Sequence, residues 1–140
     1  MDIEDNKQII QRYFDEVLNG DHYSNLDGMV HDDFYGSNKL DEIRGKEIRK
    51  QHGTEIWLAF PDYRNEVKEL IAERDKVVVY SKFTATHTGM PFMGCPPTGK
   101  KVDIDIVANY RLKDGKIIRG KVLQDMFQLF QQLGFYPLVG

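Results

Sequence analysis

The chain has 140 residues, 41% of them hydrophobic and 29% charged, which suits a single folded domain over 1–140 and argues against disorder or low complexity. Its formal net charge of −3 offers no electrostatic footprint for a phosphate backbone, which argues against nucleic acid as a partner. The longest apolar run, Ile56 to Phe60, falls far short of the roughly 20 residues that span a bilayer, so no membrane partner is expected.

The opening Met1-Asp2-Ile3-Glu4-Asp5 is acidic where a secretory signal needs a basic segment and then an apolar one. The single cysteine, Cys95, has no partner for an internal disulfide, and a reducing cytoplasm suits the chain. Cys/His spacings for structural zinc, a Gly-rich phosphate loop, a G-x-S-x-G elbow and an H-E-x-x-H pair are all missing, and no metal is expected.

In chain order, Ile9, Ile10, Tyr13, Phe14, Val17 and Leu18 recur at the spacing of a helix with one buried stripe, and Asn19-Gly20 supplies a stop. A second short helix fits Tyr23, Leu26, Met29 and Val30. An extended piece follows near Phe34 and Tyr35, and a third helical pattern runs through Ile48, His52, Ile56, Ala59 and Phe60 to Pro61. From Tyr63 the period falls to two, as half-buried strands require. Between Val77 and Thr88 the odd positions form the more apolar face; between Val102 and Leu112 the even ones do. The final pattern, Met126, Leu129, Phe130 and Leu133 before Gly134, reads as a short amphipathic helix. Helices first and strands afterwards predict an α+β fold, helices packed on one face of a curved, mostly antiparallel sheet.

Asp114-Gly115 is a two-residue hairpin signal. Counting back from it, Leu112 opposes Ile117, Tyr110 opposes Arg119 and Ala108 opposes Lys121, which would aim Lys121 and Asp125 at the core. Asp125 there could act as a base whose burial raises its pKa, yet Asp125-x-x-Gln128 equally fits a helix capping box. Lys121 could be an electrophile or a surface lysine. His87 shares the apolar face of Phe83 and Ala85, so it points inward as either a core histidine or a catalytic one. Asp103-x-Asp105 reads as solvated carboxylates on the outer sheet face rather than as a metal site. In Gly89–Gly99, six of eleven residues are Gly or Pro, making a stiff connection whose Met90, Phe92 and Met93 could cover an apolar cavity.

Thr86-His87-Thr88-Gly89, Gly94-Cys95-Pro96-Pro97-Thr98-Gly99-Lys100, Asp114-Gly115-Lys116-Ile117, Asp125 and Gln132-Leu133-Gly134 together resemble the signature of SnoaL-like polyketide cyclases. Arg12 to Val17 and Phe60-Pro61-Asp62 fit the same pattern. The resemblance implies the cone-shaped α+β barrel of the nuclear-transport-factor-2-like superfamily, with a ligand pocket between the helices and the concave sheet, and a homodimer or higher homo-oligomer built through the sheet. It implies an intramolecular aldol closure without metal or organic cofactor, with Asp125 as general base and acid. It also implies pocket-lining roles for Phe14, Trp57 and Phe60. The chain departs from the family at Lys121, where many members have Trp, at Ala108, where an acidic residue is common, and at Tyr110, where some carry His.

The function this suggests is a cofactor-independent acid–base enzyme of the cyclase or isomerase type acting on a small apolar carbonyl compound. Asp125 or His87 would move the proton, Lys121, Tyr110 or His87 would stabilise the enolate oxygen, and Phe14, Trp57, Phe60 and Phe92 would hold the ligand. A non-catalytic small-molecule binding protein using the same pocket is the alternative, and a structural dimerisation module the third.

Overall fold

Asp2 opens the first helix, its carboxylate accepting the Asp5 N–H at 2.8 Å and satisfying one of the donors a helix start leaves unpaired. In the computed structural model, which describes residues 2–21, 26–37 and 42–135, α1 runs Ile3–Arg12 and continues as a π-helix over Tyr13–Asp21. The expected stop at Asn19-Gly20 therefore lies inside the last turn. Tyr13, Phe14, Val17 and Leu18 are all buried, as their spacing predicts.

The short helix expected next is not formed as such. Tyr23 lies outside the described residues, Leu26–Gly28 make a single 3-10 turn, and Val30 begins β1 (Val30–Ser37). After β2 (Glu42–Arg44), α2 spans Lys46–Ala59 and ends just before Pro61. The strands β3 (Arg64–Glu73), β4 (Lys76–Thr86), β5 (Lys101–Lys113) and β6 (Lys116–Gln124) precede α3 (Met126–Leu133). Gly134 closes α3 in the left-handed conformation, φ 71°.

Among the described residues six strands form one sheet in the order β2-β1-β6-β5-β4-β3, antiparallel except for β1 beside β6. The architecture is the expected α+β one. The odd side chains of β4 and the even ones of β5 are buried, confirming both faces read from the alternation.

The β5–β6 register corrects one expectation. Leu112 does oppose Ile117, but Arg111 opposes Arg119, so Ile118 is an extra residue in β6. This bulge reverses the facing of everything after it. Gly120, not Arg119, stands opposite Tyr110, and Val122, not Lys121, stands opposite Ala108. Lys121 and Asp125 are consequently exposed on the other side.

Among the described residues two apolar clusters make the core. One gathers Ile10, Tyr13, Phe14 and Val17 against Val77, Val79 and Tyr110; the other gathers Ala59, Phe60 and Tyr63 against Phe83, Ile104, Leu129 and Leu133. Val122 packs against both. Among the described residues no helix is long and apolar enough to cross a membrane.

Candidate functional site

Where the two clusters meet, the sheet and the helices enclose a cavity of about 110 Å³. Its wall is mostly apolar. Phe14 and Leu18 come from the π-helix, Phe34 from β1, Phe83 from β4, Ile104, Ile106 and Ala108 from β5, Val122 from β6 and Leu129 from α3. Gly36, Gly53 and Gly120 also border it, and a β-carbon on residue 36 would come within 2.9 Å of the Phe34 ring, so the wall is already close-packed there.

A few polar side chains break this wall. Arg49 and His52 descend from α2, Asn65 and Ser81 rise from β3 and β4, and Tyr63, Tyr110 and Gln124 complete the set with Ser37. On α2 the cavity-lining positions are 49, 52, 53 and 56, the stripe that a 3.6-residue period turns to one side. The bulge in β6 is what presents Gln124. Among the described residues no carboxylate lines this cavity, and Arg49 is the one side chain of its wall that carries a fixed charge.

An outer recess of about 570 Å³ adjoins it, sharing His52, Ile56, Phe92 and Gln124 as a common wall. The rest of the recess wall is Glu55, Leu58, Met90, Pro91, Met93 and Met126, so the Gly/Pro-rich segment does face a cavity, and one carboxylate borders it. That segment doubles back at Met93-Gly94, where Phe92 and Cys95 exchange backbone hydrogen bonds at 2.9 and 2.8 Å. Cys95 is a buried free thiol.

Of the side chains anticipated at the site, Phe14, Phe60, Phe92 and Tyr110 line the inner cavity. Trp57 does not; it stands about 100° round α2 from Ile56 and packs, half-buried, on the Phe60–Phe83 cluster. His87 is fully buried but lies behind the wall, its ring 5.0 Å from that of Phe60. Its Nε2 donates to the Met90 carbonyl at 2.9 Å, which makes it a strut for the covering segment. Asp125 caps α3, accepting the Gln128 N–H at 3.0 Å, and is exposed outside both cavities. Asp103 and Asp105 flank Lys82 on the outer sheet face at 3.2 and 3.9 Å, and the hydrogen bond to Asp103, followed by the carboxylate charges, raises the Lys82 pKa. Among the described residues no group of three or more His, Cys, Asp and Glu side chains could hold a metal ion.

The polar groups not anticipated are Ser37, Arg49, His52, Tyr63, Asn65, Ser81 and Gln124. The spacing of four between His52 and Ile56 marks its helix face, and the odd-face position of Ser81 marks that residue.

The model of the SnoaL-like polyketide cyclase family matches residues 8–133. The chain belongs to that family. A SnoaL-like polyketide cyclase, so named as a proposal, from Jannaschia sp. CCS1 is 25% identical, with 96% of this chain and 95% of that one covered at a TM-score of 0.88. AclR from Streptomyces galilaeus, named as a proposed hydroxylase, is 28% identical, with 97% and 100% covered and a TM-score of 0.84. IdmH from Streptomyces antibioticus, named as a proposed polyketide cyclase, is 22% identical over 92% and 98% at a TM-score of 0.77 and supports the shared fold. No curated protein matches the chain significantly.

Proposed function

We propose that this SnoaL-like protein is a cofactor-independent acid–base enzyme that closes or isomerises a small apolar carbonyl compound inside the cavity. The observation that carries the reading is the convergence of a handful of polar groups from α2 and the sheet on an otherwise apolar chamber, the arrangement that orients a ligand and handles its protons. Histidine is the residue type that exchanges protons near neutral pH, and His52 stands in the wall common to both chambers. In this reading the His52 imidazole takes a proton from the carbon next to the carbonyl and returns it to the product. Arg49 and Tyr110 supply hydrogen-bond donors for the oxygen that gains charge.

The assignment of the base to His52 rather than Asp125 follows from position, since Asp125 would have to leave its cap to reach either chamber. Exchange of the α-protons of 2-tetralone in D2O, followed by NMR, tests it. Wild-type protein accelerates the exchange, His52→Gln lowers the acceleration about a hundredfold, and Asp125→Asn leaves it intact. A loss with Asp125→Asn and none with His52→Gln would return the role to Asp125.

A binding protein is the second reading, favoured by the lack of a carboxylate among the described residues of the inner wall. Binding of tetralone without any exchange would select it. We also propose a homodimer in the cytoplasm, formed through the outer sheet face, where the cross-strand row Tyr80, Val107 and Leu123 is exposed. Sedimentation at micromolar concentration giving only monomer would overturn the dimer.

A further inference from the structure

Asn65 carries more than a lining role. It is 9% exposed, on the edge strand β3, and it lines the inner cavity. Its backbone is held on the side that faces no strand: the Asn65 N–H donates to Asn19 Oδ1 at 2.6 Å, and Asn19 Nδ2 donates to the Asn65 carbonyl at 2.7 Å. With the main chain fixed in this way, the side-chain Oδ1 of Asn65 is buried and has no hydrogen-bond partner among the described residues. A buried acceptor left without a donor is costly, and native proteins rarely keep one that nothing satisfies.

We propose that Asn65 Oδ1 is the ligand's hydrogen-bond acceptor, so that the inner chamber selects molecules carrying a hydroxyl donor on an apolar ring or chain: a phenol or the enol form of a ketone. Neighbouring surfaces suit such a molecule. Phe83, the cross-strand partner of Asn65, and Ile104 beyond it give the ring an apolar floor. An enol is the form a carbonyl compound passes through when its α-proton moves, so the inference deepens the acid–base reading and rests on the cavity being the ligand site. Asn19 is a positioning residue in this scheme, acting only through the Asn65 backbone.

The test is calorimetric titration of the full chain with 2-naphthol, 2-methoxynaphthalene and naphthalene. These share one apolar body, and the naphthol alone donates a hydrogen bond. Wild-type protein binds 2-naphthol at least about tenfold more tightly than either analogue, and Asn65→Leu, close in shape but without the acceptor, brings all three to within about twofold. Where Asn65→Leu fails to fold, the side-chain carboxamide 13C resonance of Asn65 in labelled wild-type protein takes its place: it shifts with 2-naphthol and not with 2-methoxynaphthalene, and an unmoved resonance overturns the proposal. Equal wild-type affinity for 2-naphthol and 2-methoxynaphthalene overturns the role of Asn65 while leaving the cavity as a ligand site. A naphthol preference that survives in folded Asn65→Leu puts the acceptor elsewhere and overturns it too. Failure of all three probes to bind overturns both this inference and the reading of the cavity on which it rests.

Discussion

The carboxamide of Asn19 completes the backbone of Asn65 as a neighbouring strand would, giving one hydrogen bond and receiving one. Gln132 does the same for Asp103, accepting its N–H at 2.6 Å and donating to its carbonyl at 3.0 Å, beyond the point where β6 stops pairing with β5. In each case a helix is tied to the sheet by a side chain that reads as main chain. Asn19→Ala removes both bonds at a part-buried edge and should lower the unfolding free energy by about 1–3 kcal/mol in a urea titration. Asn19→Asp keeps the acceptor and loses the donor, so its stability should fall between the two.

The alternation in β4 and β5 was legible because one face of each is buried and the other wet, the condition under which period two is clean. The Asp114-Gly115 turn was legible for a local reason: both residues have positive φ, 53° and 75°. What could not be counted from the turn was Ile118, because a single inserted residue leaves the hydrophobic pattern on either side intact and reverses only the strand's facing. The misplacement of Lys121 and Asp125, and the oversight of Gln124, all descend from that residue. Asn65 went unnoticed for another reason. A polar residue on an inward face looks like an interruption of the pattern until the cavity it borders is seen.

Electrostatic support comes from exposed pairs with opposite pH windows. Lys46 donates to Asp32 at 2.8 Å, joining the start of α2 to β1, and this hydrogen bond, with the lysine's charge, lowers the Asp32 pKa from its usual 3.8. A depressed carboxyl pKa stabilises the fold above the unfolded value and loses that effect as pH falls through the folded one. On the outer face the Lys82 pKa is raised from 10.5, chiefly by its hydrogen bond to Asp103, so its contribution holds below that value and disappears in strong alkali. Thermal unfolding against pH should show Asp32→Asn differing slightly from wild type near neutrality and converging with it in acid. Lys82→Met should converge with wild type at the alkaline end, and salt should shrink both differences.

Gly89 is placed where no other residue fits. Its N–H donates to the Ala59 carbonyl at 3.1 Å, and the next residue, Met90, donates to Leu58 at 2.9 Å, so the covering segment is bonded to the end of α2. A β-carbon on residue 89 would lie 1.8 Å from the Leu58 carbonyl oxygen. Backbone on both sides of the clash leaves no flexible side chain to yield. Gly89→Ala should cost about 3 kcal/mol or more in stability, and it should release the segment that bears Met90 and Phe92. Differential scanning calorimetry checks the first effect; faster proteolysis between residues 88 and 94 checks the second.

Asp125 offers the sharpest separation of a structural from a chemical role. The helix it caps has only eight residues, so its first turn is a large part of it, and the Asp125 side chain satisfies the Gln128 N–H while its carbonyl accepts the Leu129 N–H at 3.1 Å. Leu129 reaches the inner cavity from this helix, and Gln132 fastens the helix to Asp103. Asparagine caps about as well as aspartate, whereas alanine does not cap. Asp125→Asn should therefore change stability by no more than a few tenths of a kcal/mol and Asp125→Ala by about 1 kcal/mol, with the α-proton exchange of 2-tetralone unchanged in the Asn variant. Were the carboxylate the proton acceptor, the order would invert: the stable Asn variant would lose exchange about a hundredfold, because the amide cannot take up the proton.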